Sequence, residues 1–300
     1  MLAAMVFPAL PAPTFAPDQT TKIERFPRYE DCTQDGRLAP IALPHALATM
    51  WRTINVNHPG VRSAFTAGVR PILTRLTVHS YDHAIRLGRP VEAASGFDLA
   101  HDVDATGAVS RLFMNTWCEV RARRRRTQAD PSGGTVLAGQ AFAEHTFTRL
   151  FAPPDQRRVV SLAGIAGYPE VPPARYAQPA PSSAGDAPDG ATWHDELAAD
   201  TVDTLFTLDQ TDANQHVNSQ VYLRLFLDAF QRRLAAGPFP AALRSKAIDI
   251  AYRKPCFVGE RVRAHIRTFT LGDQVGGAGF IAAPGEEARP RCYIRVVFGP

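Results

Sequence analysis

The sequence lacks the features of a membrane or secreted protein. No run approaches the roughly 18 uninterrupted apolar residues of a membrane-spanning helix. The apolar residues 1–16 contain no Lys or Arg and are interrupted by Pro8, Pro11 and Pro13, so they lack the basic start and continuous apolar core of a signal peptide. We therefore expect a cytoplasmic protein with no membrane span and with a flexible tail at residues 1–20.

Cysteine is scarce, and its spacing indicates neither a zinc site nor a dense set of disulfides. The four cysteines are far apart and form no CxxC pair: Cys32, Cys118, Cys256 and Cys292. Four histidines of the N-terminal half also lack metal-ligand spacing with carboxylates or cysteines: His79, His83, His101 and His145. The sequence predicts reduced thiols, no metal and no cofactor.

Lysine is nearly absent. The 33 basic residues include only three lysines, Lys22, Lys246 and Lys254. The formal net charge of +4 is small for 300 residues, whereas a nucleic-acid-binding protein usually concentrates more positive charge on one face. We predict no nucleic-acid partner. A mild basic bias still suits an acidic partner.

A segment rich in Pro, Ala, Ser and Gly divides the chain. Residues 169–190 contain almost no large apolar side chains, and they are predicted to bury too little surface to fold by themselves. We therefore place a linker at residues 166–195, between a domain at 21–165 and a domain at 196–300. Both domains have an ordinary size.

The C-terminal half predicts a strand at 201–208, a polar loop at 209–218 and a helix at 219–234 that is apolar on several faces and therefore largely buried. Four strands with alternating polarity follow: 245–253, 260–271, 274–283 and 289–298. Each is predicted to have one buried and one wet face. In the last strand, for example, Cys292, Ile294, Val296 and Phe298 are expected on the buried face, opposite Arg291, Tyr293 and Arg295.

The N-terminal half repeats this order of elements. A possible strand at 22–29, a polar loop at 31–37 and a helical segment at 41–54 precede four predicted strands: 72–85, 91–103, 109–121 and 135–150. Two halves with the same order suggest a duplication. Each half is expected to be an antiparallel sheet wrapped around one helix, which is an α+β fold.

The strongest functional signal is the loop that leads into the C-terminal helix. Asp212, Asn214 and His216 occupy alternate positions, so in an extended loop their side chains share a side. The helix start near Asn218 and Ser219 supplies backbone N–H groups and a positive dipole end that could hold an oxyanion. Acyl transfer to water needs a base, a group that orients water, and such donors.

Three segments resemble the acyl-ACP thioesterases. Residues 212–222, DANQHVNSQVY, resemble the motif DxNxHVNNxxY of that family, with Ser219 at the usual second Asn. Residues 252–256, YRKPC, resemble its YRRxC segment, and residues 28–36 are similar to its opening RxYEvdxxG. The resemblance implies a tandem, or double, hotdog fold of the 4-hydroxybenzoyl-CoA thioesterase-like superfamily. In that fold the N-terminal hotdog mainly supplies an acyl-chain pocket and the C-terminal hotdog supplies the catalytic loop.

The resemblance also assigns roles. The catalytic Asp, Asn and His of the family fall on Asp212, Asn214 and His216, and its motif Cys falls on Cys256. Local explanations remain open. The Asp and Asn residues could be turn formers and Asn218 a helix N-cap, His216 could be structural, and Cys256 could be a small core residue.

One position departs from the family pattern. Where the family has a Glu before the Cys, proposed there as the base that activates water, this chain has Pro255. Either Asp212 takes the role of base or hydrolysis is impaired. Glu260 lies too far along the chain, behind Gly259, to be assumed a substitute.

A run of arginines lies between two predicted strands of the N-terminal half. It is either a solvated hairpin tip or a landing surface for an acidic acyl carrier protein, and its candidate contacts are Arg123, Arg124, Arg125 and Arg126. A second outward stripe competes for the same role: Arg261, Arg263 and Arg267.

These observations predict a thioesterase that releases a fatty, aryl or polyketide acyl group from acyl carrier protein or coenzyme A. One alternative is a hotdog protein that binds acyl thioesters without hydrolysis, or that catalyses a dehydration or cyclisation. Another is an interaction module that uses its basic loops. The chain is expected to be a monomer or a homodimer.

Overall fold

A computed structural model describes residues 12–48, 58–128, 131–240 and 243–300. Thirteen strands within this part of the chain form one sheet. Ten of them lie in this order across it: β1 (Thr20–Arg25), β3 (Val91–Val103), β4 (Val109–Arg123), β5 (Thr135–Thr148), β2 (Arg70–Ser80), β10 (Arg244–Tyr252), β13 (Cys292–Gly299), β12 (Gln274–Ala282), β11 (Arg261–Leu271) and β7 (Thr192–Trp193). Beside them, β6 (Ala174–Arg175) pairs with β3, and β8 (Ala198–Ala199) and β9 (Thr204–Leu205) pair with β11. No helix among these residues combines the length and apolar character needed to cross a membrane.

The N-terminal half contributes five long or medium strands and two helices. Its strands are β1 (Thr20–Arg25), β2 (Arg70–Ser80), β3 (Val91–Val103), β4 (Val109–Arg123) and β5 (Thr135–Thr148). Its helices are α1, described over 43–48, and α2 (Pro59–Thr66). The predicted strands agree closely with β2 to β5. Most of the second half of the predicted helical segment 41–54 lies outside the described residues.

The C-terminal half has the same plan. Helix α3 (Ser219–Ala236) is followed by four strands: β10 (Arg244–Tyr252), β11 (Arg261–Leu271), β12 (Gln274–Ala282) and β13 (Cys292–Gly299). These elements match the predicted helix and strands to within a few residues. The predicted strand 201–208 is shorter than expected, since only β9 (Thr204–Leu205) pairs, with the start of β11.

The two halves join where β2 pairs with β10 in antiparallel register, with Thr77 opposite Asp249. The two sheets therefore continue into each other, and one apolar cluster contains buried residues from both, including Leu43, Val120 and Phe226. Two antiparallel sheets, fused edge to edge and packed on helices, form a tandem hotdog fold, which confirms the predicted fold class.

Helix α3 lies against the concave face of the C-terminal sheet. Its side chains Leu223, Phe226 and Phe230 are fully buried, and burying each contributes about 1.5–3 kcal/mol. A Cβ on Gly277 of β12 would lie 2.4 Å from the ring of Phe230. The close approach of helix and sheet therefore requires glycine at this position.

The proline-rich segment lies on the convex face of the sheet and has little structure of its own. It contains β6 (Ala174–Arg175), a short 3-10 helix (Pro181–Gly185) and β7 (Thr192–Trp193), followed by β8 (Ala198–Ala199). The 3-10 helix contacts β10, β12 and β13. Its order thus comes from the sheet, consistent with a composition that is too poor in apolar side chains to fold alone.

Under this segment is a cluster of buried charges. Asp249 is fully buried and accepts hydrogen bonds from Arg75, at 2.9 and 2.6 Å, and from Arg295, at 3.2 Å. Arg75 also donates to Ser183 Oγ at 3.1 Å, and Arg295 donates to the Asp186 carbonyl at 2.9 Å. The cluster therefore connects both halves of the sheet to the segment that covers them.

The cluster corrects one expectation. Arg295 was predicted on the wet face of the last strand, but only 8% of its side chain is exposed. The alternation of the strand is as predicted, because Cys292 and Ile294 are fully buried on the opposite face. The convex face is covered by the proline-rich segment, which strand periodicity does not reveal.

We expect Asp249→Asn to lower the free energy of unfolding by about 3–5 kcal/mol, because it removes the buried carboxylate that two buried guanidinium groups share. Urea denaturation measures the change. The control is Asp203→Asn, which removes a partly exposed ion pair with Arg263 and should cost no more than about 1 kcal/mol. Equal losses in the two variants would contradict a special role for the buried cluster.

Candidate functional site

The segment predicted to carry the chemistry is a tight hairpin, not an extended loop. Thr211 and Val217 form an isolated antiparallel bridge. The Asp212 N–H donates to the His216 carbonyl at 3.0 Å, and the Gln215 N–H donates to the Asp212 carbonyl at 2.9 Å. Gln215 has φ +64°, in the left-handed region. The expectation of an extended loop is therefore wrong, because local turn-forming bonds close the segment on itself.

Within this hairpin, Asp212 and His216 lie opposite each other, and both are half-buried. Asn214 lies at the exposed tip, where its backbone N–H donates to Asp212 Oδ1 at 2.8 Å. The other carboxylate oxygen of Asp212 accepts a hydrogen bond from the Asn218 side chain at 3.2 Å. Asp212 therefore organises the turn while its carboxylate stays partly open to solvent.

The hairpin leads directly into α3. Asn218 is the N-cap, and its Oδ1 accepts the Gln220 N–H at 2.9 Å. The Asn218 N–H donates to the Gln210 carbonyl at 2.9 Å, so it is already engaged. The Ser219 N–H has no hydrogen-bond acceptor among the described residues. Of the two positions predicted to hold an oxyanion, Ser219 is the one with a backbone donor available.

The backbone of Cys256 contacts both the hairpin and helix α3. Its carbonyl accepts the Val217 N–H at 2.8 Å, and its own N–H donates to the Tyr222 hydroxyl at 2.8 Å. The thiol is fully buried, and burial raises its pKa to about 11. At neutral pH the side chain is therefore a neutral thiol, whereas nucleophilic attack needs a thiolate.

Two tyrosines and one glutamate have positions that sequence reasoning missed. The Tyr222 hydroxyl accepts the backbone N–H of Cys256 and so fixes Cys256 to α3. The Tyr252 hydroxyl donates to the Ser219 carbonyl at 3.0 Å. Both tyrosines belong to the motif segments 212–222 and 252–256, which was the available signal. Their hydrogen-bond partners come from distant segments, so the motifs do not reveal them.

Glu260 also returns to this region. Gly259, with φ +85°, turns the chain after Cys256, and the Phe206 N–H donates to the Glu260 carbonyl at 3.0 Å. The Glu260 carboxylate lies 3.5 Å from an Arg291 nitrogen and helps to raise the pKa of the Cys256 thiol. Its separation along the chain therefore understates its proximity to Cys256.

The N-terminal half contains a hairpin with the same backbone bonds. The bridge between Cys32 and Leu38 corresponds to the bridge between Thr211 and Val217. Three backbone N–H to carbonyl hydrogen bonds of this hairpin have a counterpart at the same spacing in the C-terminal hairpin. The bond from Thr33 to Arg37 corresponds to that from Asp212 to His216, and the bond from Gly36 to Thr33 corresponds to that from Gln215 to Asp212. The bond from Ala39 to Asp31 corresponds to that from Asn218 to Gln210. This repetition supports the duplication that element order suggested.

The side chains of the two hairpins differ. Thr33, Asp35 and Arg37 stand where the C-terminal hairpin has Asp212, Asn214 and His216. Asp35 forms ion pairs with Arg37 and with Arg244 of β10. Only the C-terminal hairpin therefore combines a carboxylate at its first position with an imidazole at its fifth.

The candidate carrier-protein residues lie at the end of β4, beside the N-terminal hairpin. The Arg125 N–H donates to the Ala84 carbonyl at 2.7 Å, and Arg124 forms a bridge with Ile85. The competing stripe is engaged within the chain. Arg263 pairs with Asp203 at 2.5 Å, and the Arg267 guanidinium lies 4.2 Å from the centre of the Trp193 ring.

No group of three or more His, Cys, Asp or Glu side chains that could hold a metal ion occurs within residues 12–48, 58–128, 131–240 and 243–300.

We expect the thiols to resist alkylation in the folded protein. Burial raises the pKa of Cys32 and Cys256 to about 11 and that of Cys118 to about 12, so the thiolate is rare at pH 7.5. Iodoacetamide treatment followed by mass spectrometry should show little modification of Cys256 before unfolding and full modification in urea. Rapid labelling of native Cys256 at pH 7.5 would contradict this assignment.

Comparisons with known proteins agree with the fold. No protein-family model and no curated protein matches the chain. An acyl-ACP thioesterase from Bacteroides thetaiotaomicron is similar in structure, with a TM-score of 0.62 at 15% identity, covering 94% of this chain and 98% of that one. A putative oleoyl thioesterase from Lactobacillus plantarum has a TM-score of 0.61 at 15% identity, covering 93% of this chain and 96% of that one. The 12:0-ACP thioesterase from Umbellularia californica has a TM-score of 0.55 at 10% identity, covering 94% of this chain and 98% of that one. Over nearly its whole length, this chain therefore has the double hotdog fold seen in acyl-ACP thioesterases.

Proposed function

We propose that the protein is a thioester hydrolase that releases a fatty, aryl or polyketide acyl group from acyl carrier protein or coenzyme A. The observation that carries the proposal is the C-terminal hairpin, in which Asp212 and His216 are paired through their backbones and place a carboxylate and an imidazole just before helix α3. The N-terminal hairpin has Thr33 and Arg37 at the two corresponding positions. The whole-length likeness to acyl-ACP thioesterases supports the same activity.

In this proposal Asp212 is the base. Its carboxylate removes a proton from a water molecule, and the hydroxide attacks the thioester carbonyl carbon. The tetrahedral intermediate then expels the thiolate of the carrier, which is protonated to the free thiol. A carboxylate that attacks the carbonyl directly, with water then cleaving the resulting anhydride, is the nucleophilic version of the same role.

The remaining residues orient and stabilise. His216, across the hairpin from Asp212, and Asn214, at its tip, orient the water or the thioester carbonyl. The unpaired Ser219 N–H at the positive end of α3 is suited to the developing oxyanion. Asn218 holds this geometry in place, because it caps the helix and hydrogen-bonds Asp212 at the same time.

We also propose that arginines 123–126 meet the acidic surface of a carrier protein. They lie together at the end of β4, and Arg123, Arg125 and Arg126 are exposed. The stripe on β11 is less suited, since Arg263 and Arg267 already have partners within the chain.

Pro255 favours a second candidate function. It replaces a glutamate in the pattern that the surrounding residues resemble, so the chain could bind an acyl thioester without hydrolysing it, or catalyse a dehydration or cyclisation. Under this alternative the same hairpin binds the thioester carbonyl, and no free thiol appears.

We expect Asp212→Asn to lower kcat by about 10²–10⁴-fold, the usual contribution of a general acid or base. Release of free thiol from a panel of short, long and aryl acyl-coenzyme A and acyl-carrier-protein thioesters measures the rate. Asparagine can still accept the Asn214 N–H, so the hairpin should remain folded. Thr33→Ala is the matched control, since Thr33 occupies the corresponding position in the N-terminal hairpin, and it should keep the wild-type kcat.

Other outcomes discriminate among the candidates. A folded Asp212→Asn variant with the full rate would remove the proposed role. If Glu260→Gln lost the rate instead, the base would be Glu260. If the folded wild type bound acyl thioesters but released no thiol from any of them, the second candidate function would replace hydrolysis.

We expect the change of all four arginines 123–126 to serine to lower kcat/KM for an acyl-carrier-protein substrate at low salt, because charge complementarity raises the rate of association. The difference from wild type should shrink at high salt. Steady-state kinetics at two ionic strengths measure both effects. Unchanged kinetics at low salt would contradict the carrier-protein surface.

A further inference from the structure

In a groove of about 560 Å³ on the N-terminal half, arginine is the most frequent of the described lining residues. The groove lies between the end of β4, the start of β3 and the turn before β3. Among the described residues that line it, the acidic ones are Glu24 and Glu92. The basic ones are Arg86, Arg89, Arg121, Arg123 and Arg126. The volume is that of a small-molecule site.

The backbone holds these arginines in place. The Arg86 N–H donates to the Arg123 carbonyl at 2.8 Å, and the Arg89 N–H donates to the Arg86 carbonyl at 3.1 Å, so the turn is fixed to β4. On the other side, a Cβ on Gly133 (φ +55°) would lie 2.9 Å from Arg126 Cγ. Glycine thus lets the loop approach this arginine closely.

The positive charges are largely unbalanced. Arg121 pairs with Glu119 outside the groove, and Glu92 already pairs with Lys22 at 2.6 Å. Within the part of the chain that the structure describes, the other four groove arginines have no carboxylate partner. Placing like charges together without counter-charge is unfavourable, and a bound anion would offset that cost.

The duplication shows that this basic character belongs to one half only. Ala84 contacts the N-terminal hairpin, as Cys256 contacts the C-terminal one. The turn that follows Ala84 carries Arg86 and Arg89, whereas the turn that follows Cys256 carries Phe257, Val258 and Glu260. The two halves therefore share a backbone plan but differ in charge at this turn.

We infer that this groove, defined by its five arginines, binds a diphosphate group. Guanidinium groups bind phosphate oxygens in pairs of parallel hydrogen bonds, and five of them exceed what a single phosphate needs. None of the described lining residues is aromatic, so recognition rests on the phosphates and not on stacking of a base. The diphosphate can be free or part of a larger molecule such as coenzyme A. The inference is independent of hydrolysis, because the groove lies beside the N-terminal hairpin.

Isothermal titration calorimetry of the full chain with sodium pyrophosphate, inorganic phosphate and coenzyme A tests the inference. We expect pyrophosphate to bind at least 10-fold more tightly than inorganic phosphate, and more weakly as salt increases. The double variant Arg89→Gln with Arg123→Gln should weaken pyrophosphate binding at least 10-fold. The control is Arg62→Gln with Arg111→Gln, which removes two exposed arginines outside the groove and should leave binding unchanged.

The coenzyme A titration identifies the source of the diphosphate. If coenzyme A binds and the groove variant weakens its binding as much as that of pyrophosphate, the groove is a coenzyme A site. If pyrophosphate binds and coenzyme A does not, the groove is a site for free diphosphate. The inference is overturned if pyrophosphate does not bind, if it binds no better than inorganic phosphate, or if the control variant loses as much affinity as the groove variant. Thermal unfolding of each variant confirms that the compared proteins are folded.

Discussion

The antiparallel pairing of β2 with β10 is the constraint on which the rest of the structure depends. It converts two sheets into one and places Thr77 opposite Asp249 at the join. Because the sheets are continuous, α1 of one half and α3 of the other pack into one apolar cluster. The same pairing brings Arg75 of one half within hydrogen-bond distance of Asp249 in the other. A change in this register would disrupt both the shared core and the charge cluster.

The buried charges explain how a segment of poor core-forming composition becomes ordered. Ser183 and the Asp186 carbonyl accept hydrogen bonds from Arg75 and Arg295. Farther along the sheet, the Tyr176 hydroxyl donates to buried Glu144 at 2.7 Å. Buried polar groups need partners, and the covering segment supplies several of them. Hydrogen bonds to buried polar groups therefore hold this segment on the sheet, as apolar burial holds the helices.

Duplication followed by divergence accounts for the distribution of the candidate sites. The two hairpins repeat the same backbone hydrogen bonds, which is the part of a site that a fold preserves most easily. Their side chains have separated: the C-terminal hairpin has Asp212 and His216, and the N-terminal one has Thr33 and Arg37. Beside the N-terminal hairpin the adjoining turn has become basic. One backbone plan thus carries a carboxylate and an imidazole in one half and a groove with five arginines in the other.

The sequence by itself determined the strands β2 to β5 and β10 to β13, the helix α3, the repeated order of elements and the residues of the C-terminal hairpin. These features depend on local periodicity and on short motifs, which one segment carries alone. Tertiary structure decided the conformation of the hairpin, the burial of Arg295 and the return of Glu260 to Cys256. It also decided the meeting of five arginines from separate segments. Each of these depends on partners distant along the chain, and single-segment patterns contain no information about such partners.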